Sequence, residues 1–262
     1  MSPHDLERER AAFALLRRFR GTVAVLIGGY AVSAYGAPRF SLDLDFVVPA
    51  SALPGIRGLL RSADLARIRN WEGGALFAGR AERWSRGEEA IPLSVDLFID
   101  GILDRVSGAS HPYASVRRGA RRLIVRGLDP SSEARALVAA PEVLVALKLE
   151  AGRRVDLRDL AVLAGTELDV GRVATLLRED RRDVLLEHLD ALAAALVRRD
   201  FQDSLNGVYM LDERAFGRVV NRTEGLVRDL RAAVLRPAGK SGGSVREPGR
   251  PTRTTATRQE RS

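Results

Sequence analysis

From Asp5 to Arg20, apolar residues recur at mixed three- and four-residue spacing among charges, the pattern of an amphipathic helix that leads into a core. The β-rich run Val23 to Ile27 stops at Gly28-Gly29, and Ala31 to Tyr35 follows as a short helix, so the implied order is strand, glycine turn, helix. A second strand is expected over Leu44 to Val48, bounded by Pro38 and Pro49, and a third over Leu93 to Ile99. Between these two strands the pattern predicts a helix near Leu53 to Ser62 and strands around Ala66 to Arg69 and Ala75 to Gly79; a hairpin is expected within Ala114 to Arg126. After Pro130 the period becomes helical, through Leu144, Leu147 and Ala151, then Leu157, Leu160 and Leu163, then Val173 to Leu177, Val184 to Leu196 and Phe216 to Leu235. The pattern predicts an α+β protein. A mixed sheet with flanking helices occupies residues 1–128, a helical bundle residues 129–236, and a tail residues 237–262.

Composition sharpens this picture at a few points. With 262 residues, 45% hydrophobic and 29% charged, the chain is long and apolar enough for a sizeable core. Cysteine is absent, which excludes disulfides, thiolate metal sites and cysteine nucleophiles. His4, His111 and His188 are scattered singly, without zinc-ligand spacing, and read as surface or capping residues. The most apolar stretch, Val23 to Pro38, is broken by Gly28, Gly29 and Gly36 and falls short of the roughly 20 residues of a membrane span. The first ten residues mix acids with bases, unlike a secretory signal, so a cytoplasmic protein is expected. The formal charge of +8 looks like a nucleic-acid signature until it is divided along the chain. The tail holds six basic residues (Lys240, Arg246, Arg250, Arg253, Arg258, Arg261) against two acidic (Glu247, Glu260), half of the net charge. Its Gly, Pro, Ser, Thr and Arg content predicts disorder, with contact to RNA by charge alone as one role and solubility as the other.

The candidate chemistry begins at Asp43-Leu44-Asp45. Two carboxylates at i and i+2 of a strand point to the same face. Such a pair suits a hard divalent cation, magnesium or manganese, though D-x-D alone fits equally well a turn residue followed by a solvated one. A third carboxylate, Asp96, sits inside the otherwise apolar strand Leu93 to Ile99, where an unpaired charge would be costly. If that strand lies beside Leu44 to Val48, the three aspartates form a cluster able to hold two metal ions; otherwise Asp96 faces water on an edge. Asp100, before Gly101, reads as a turn residue. Gly28-Gly29 between strand and helix attracts phosphate or simply lets the chain turn; neither G-x-G-x-x-G nor G-K-[ST] is present, which disfavours dinucleotide oxidoreductases and P-loop nucleotidases. Arg39 and Ser41 offer a guanidinium and a hydroxyl to phosphate, or belong to a solvated loop. Only two lysines occur, Lys148 and Lys240, so Lys148 in an apolar helix stands out as a phosphate ligand, with snorkelling out of the helix face as the alternative. Asp156 is expected to cap the next helix, with Asp159 in its first turn.

Taken together, Gly28-Gly29, six residues, Gly36, two residues, Arg39, one residue, Ser41, one residue, Asp43-Leu44-Asp45 and the later Val95-Asp96-Leu97 resemble the signature of nucleotidyltransferases of the DNA polymerase beta superfamily. The stretch Pro141 to Leu163, with Glu142, Lys148, Arg153, Asp156 and Asp159, is similar to the helical region that follows the core in the branch that includes AbiEii-type abortive-infection toxins. The resemblance covers roughly residues 20–165; Ser41 stands where the family often has threonine. It implies a nucleotidyltransferase-like fold and metal-dependent transfer of a nucleoside monophosphate from a nucleoside triphosphate to an acceptor hydroxyl of RNA, tRNA or protein, releasing pyrophosphate. It also implies that Asp43, Asp45 and Asp96 bind magnesium or manganese, with Asp96 helping to deprotonate the acceptor. Gly28, Gly29 and Ser41 would hold the triphosphate, joined by Lys148 and Arg39. A role as the toxin of a toxin–antitoxin pair, with a cognate antitoxin as partner, follows from the same likeness. The competing expectations are a catalytically silent nucleotide- or RNA-binding regulator of the same fold, identified by metal binding without turnover, and a D-x-D glycosyltransferase, which the glycine turn and the later single Asp disfavour.

Overall fold

A computed structural model describes residues 2–36, 38–74, 77–86, 93–103, 108–177, 182–209 and 211–236. The expected disordered tail, residues 237–262, and two residues of the expected strand Ala75 to Gly79 lie outside the described residues. Helix α1 (Pro3–Arg18) opens with a reciprocal capping box, in which Asp5 N–H donates to Ser2 Oγ at 3.2 Å and Ser2 N–H to the Asp5 carboxylate at 2.8 Å, with Pro3 preset at its first position. Strand β1 (Val25–Ile27) is buried throughout and runs straight into α2 (Gly28–Ser33), so the two glycines form the first turn of the helix rather than a loop before it. β2 (Asp43–Val48), α3 (Leu53–Arg61), β3 (Ala66–Gly74), β4 (Phe77–Arg86) and β5 (Leu93–Ile99) follow, with β3 and β4 longer than the sequence pattern indicates. A separate small hairpin, β6 (Gly101–Leu103) with β7 (Ser110–Pro112), precedes the short α4 (Tyr113–Arg117).

The hairpin expected within Ala114 to Arg126 is displaced. Its first half contains α4, and the strand β8 (Arg121–Arg126) pairs instead with β9 (Glu133–Val138). β9 lies parallel to β1 inside the main sheet, so that sheet extends past the expected boundary at residue 128. Glu133 to Val138 alternates exposed and buried residues at its start, a strand pattern that its alanines, arginine and leucine disguise as helix. The complete order is β3-β4-β5-β2-β1-β9-β8, seven strands of mixed direction.

The sheet's two faces differ in kind. On one, Leu44 and Phe46 of β2 are buried, and the Phe46 ring stacks on Phe19 at 4.2 Å, just after α1. α3 covers the same face, sending Arg57 to the buried Glu82 of β4, which also receives Arg67 and the Trp84 indole N–H. On the other face stand the odd-numbered residues of β2, roofed by α5 (Pro141–Ala151). α5 ends at Gly152, whose φ of +58° closes the helix in the left-handed region directly beneath His188. α6 (Arg154–Leu163), α7 (Val170–Leu176), α8 (Arg182–Leu196), α9 (Arg199–Tyr209) and α10 (Glu213–Leu235) complete the chain, α10 packing on α6, α7 and α8. Of these, α9 went unread in the sequence. The expected α+β architecture is present, and no helix among the described residues is long and apolar enough to cross a membrane.

Candidate active site

The parallel pairing of β2 with β5 places Asp43 opposite Ser94 and Asp45 opposite Asp96. Paired positions share a face, so the three carboxylates stand together on the roofed side, Asp45 and Asp96 roughly 5 Å apart at the backbone. A pocket of about 550 Å³ opens over them, and Asp43, Asp45 and Asp96 all line it. Two full negative charges at that separation repel by roughly 3 kcal/mol at an effective dielectric near 20. The repulsion appears as proton affinity. Burial, then the charges of Asp96 and Asp43, push Asp45 up to about 7, against which Lys148 and Arg153 pull only partly. Burial and Asp96 raise Asp43 as well, although Ser94 hydrogen-bonds its carboxylate.

The cation that grips the cluster through hydrogen bonds to Asp96 carries no mark in the sequence. Arg83 of β4 pairs with Asp96 across the sheet and forks both of its oxygens, Nε to Oδ1 at 2.8 Å and Nη2 to Oδ2 at 2.6 Å. That bond holds the Arg83 guanidinium firmly protonated. Only the register of β4 against β5 brings the two together, and no local motif in Ala81 to Arg86 announces it.

The glycines divide their work. Gly28, at φ +70°, lines the pocket, and a Cβ there would collide with the Asp45 carboxylate, so glycine is what lets Asp45 lie against the start of α2. A Cβ on Gly29 would instead strike the Arg39 guanidinium and the Ser41 hydroxyl. Gly29, Arg39 and Ser41 are not among the residues that line the pocket. Arg39, expected at the phosphates, is buried and donates through Nη2 to Asp159 at 2.8 Å and through Nη1 to the Phe40 carbonyl at 3.0 Å. Its guanidinium braces the loop before β2 against α6.

Lys148 lines the pocket from α5, yet its ammonium is held between two aspartates of α6, Asp156 at 2.7 Å and Asp159 at 2.8 Å. Asp156 also takes Arg153 Nε at 2.6 Å, and Asp159 takes the Tyr209 hydroxyl of α9 at 2.8 Å. Burial would raise the Asp159 carboxyl, but Lys148 and Arg39 overcome it and hold it below the usual range. The helix cap expected at Asp156 is therefore corrected. Arg153 is the N-cap residue, Asp156 lies in the first turn, and Asp159 sits a turn further on; both aspartates are fully buried to secure Lys148. Asp100 is the turn residue expected, at φ +61° with its carboxylate accepting the Ala50 N–H at 2.7 Å. His111 is no surface residue, being buried with Nε2 2.7 Å from Glu150, and His188 Nδ1 lies 2.6 Å from the Leu149 carbonyl.

Among the described residues no group of three His, Asp or Glu side chains is placed to hold a metal ion, and Asp96 is engaged by Arg83. The donor set nonetheless fits magnesium or manganese. Asp43 and Asp45 offer hard oxygen donors to the pocket, and magnesium is commonly held by one or two carboxylates plus substrate phosphates rather than by an all-protein cage.

No family model matches the chain, and neither does any curated protein. Among solved structures, JHP933 from Helicobacter pylori is similar at 18% identity over 89% of this chain and 94% of that one, with a TM-score of 0.45. MenT4, a nucleotidyltransferase toxin from Mycobacterium tuberculosis H37Rv, is similar at 19% identity over 88% of this chain and 86% of that one, also with a TM-score of 0.45. Likeness at that level carries no argument about activity, which rests on the residues themselves.

Proposed function

We propose that the chain is a metal-dependent nucleotidyltransferase that moves a nucleoside monophosphate from a nucleoside triphosphate to an acceptor hydroxyl and releases pyrophosphate. The observation that carries this reading is the set of three carboxylates on one face of β2 and β5, all lining one pocket. Asp43 and Asp45 would hold magnesium or manganese, with Asp96 completing the set. Such an ion, when bound, supplies positive charge to the transferring phosphoryl group. Asp96, once released from Arg83, accepts the proton of the acceptor hydroxyl. Lys148 and Arg153 add positive charge on the α5 side of the pocket. Gly28 keeps the backbone close to Asp45. The acceptor class is RNA, tRNA or protein, and the place of action the cytoplasm; a toxin paired with an antitoxin rests on the sequence resemblance alone.

The bidentate Arg83–Asp96 bond favours one rival reading, a silent protein that binds nucleotide without turning it over. Incubation with α-phosphate-labelled ATP, GTP, CTP and UTP, magnesium and total RNA or protein separates the two. Transfer by the wild type that falls at least a hundredfold in Asp43→Asn/Asp45→Asn is expected. Magnesium-dependent nucleotide affinity with no label in either fraction would favour the silent protein.

A further inference from the structure

A second row of side chains crosses the pocket's sheet face one pleat repeat beyond Arg83, Asp96 and Asp45. In it Trp71 stands opposite Ala81, and Ala81 opposite Phe98. All three line the pocket, and the two rows lie roughly 7 Å apart along the strands. On the central strand of this row the side chain is a single methyl group. Trp71 and Phe98 are therefore two strand spacings apart, roughly 10 Å, with Ala81 as the floor between them. Aromatic rings pair at centroid spacings of roughly 4.5–7 Å, so the interval admits one flat ring. The Arg69 guanidinium lies over the Trp71 ring, 5.5 Å from its centroid, and adds positive charge at the rim. Leu147 of α5 and Leu103 of β6 supply apolar surface around the slot.

We infer that this row is a nucleobase slot, in which the base of the triphosphate stacks between Trp71 and Phe98 while its phosphates reach the carboxylate row. The inference rests on the nucleotide reading above. Ala81 is the residue that shapes the slot, and Trp71 is its main platform; stacking on aromatic side chains needs no hydrogen-bond code and suits every base.

Calorimetry on the full chain with magnesium tests it, using α,β-methylene-ATP, inorganic tripolyphosphate and a short single-stranded RNA as separate ligands. Trp71→Ala weakens the ATP analogue roughly ten- to hundredfold and leaves tripolyphosphate unchanged, while Trp71→Phe retains most of the affinity. Ala81→Leu, which fills the slot, has the same selective effect. Equal weakening of analogue and tripolyphosphate, or no weakening of the analogue, overturns the inference. Loss of RNA binding with the analogue unaffected overturns it too, by assigning the slot to an acceptor base. A wild type that binds neither the analogue nor tripolyphosphate defeats the nucleotide reading itself, a result distinct from either of these.

Discussion

Two polar clusters meet at the pocket, and they are built on opposite terms. Around Lys148, both carboxylates are densely paired. One ammonium, two guanidiniums and a phenol serve two fully buried aspartates that come from the next helix. Across the pocket, Arg83 forks one of three carboxylates, and the other two bind protons more readily than a normal aspartate. The densely paired network fixes α5 against α6; the carboxylate row instead faces an open pocket. The contrast separates scaffold from site more sharply than residue type does, since aspartate is the acid in both.

Removing one partner from the densely paired network has the largest effect on stability. Asp159→Ala takes one of two carboxylates from Lys148 and leaves Arg39 and the Tyr209 hydroxyl without theirs, and is expected to cost about 3–5 kcal/mol, a fall of about 10 °C in thermal melting. A loss under about 1 kcal/mol would show the network to be dispensable. On the other side, Arg83→Gln frees Asp96. It is expected to melt lower than wild type in EDTA and to gain more from added manganese, with roughly tenfold tighter manganese affinity by electron paramagnetic titration. Unchanged affinity would mean that Arg83 does not compete with a cation. The smallest effect is the pH dependence of Asp45. Because its folded pKa is raised, the native state holds an extra proton between the unfolded value near 3.8 and about 7, so its contribution to stability is lost as pH rises through 7. Asp45→Asn should therefore melt a few degrees above metal-free wild type at pH 8, and the gain should shrink as pH falls below 7. A gain that is constant across pH would place the proton elsewhere.

The sequence was most legible where local pattern and chemistry coincide. The D-x-D strand, the glycines behind it and the apolar strand around Asp96 all announced themselves, because a period of two and a charge in an apolar run are visible in a few residues. Arg83, Trp71 and Phe98 were not, since what makes them neighbours is strand register, set by pairings between segments that carry no mark of one another. Lys148 stands out by rarity, but its partners do not, because local pattern marks Asp156 only as a cap and Asp159 as a first-turn residue; the turn of chain between α5 and α6 brings both back to it. β9 departs from the helical expectation for residues 129–236 for an energetic reason. Glu-Ala-Arg-Ala-Leu-Val prefers helix weakly, and pairing on both sides in the sheet outweighs that preference.

The seat of β9 beside β1 governs how the chain reaches this structure during synthesis. β1 finds one neighbour, β2, within about twenty residues, but must wait more than a hundred for the other. Until β9 emerges from the ribosome, the apolar strand Val25–Ile27 presents an open edge to any passing strand. Such distant pairing makes for high contact order and slow closure. A fragment cut at residue 128 would keep all three carboxylates yet carry that edge permanently, and its fate is aggregation rather than a minimal catalytic core.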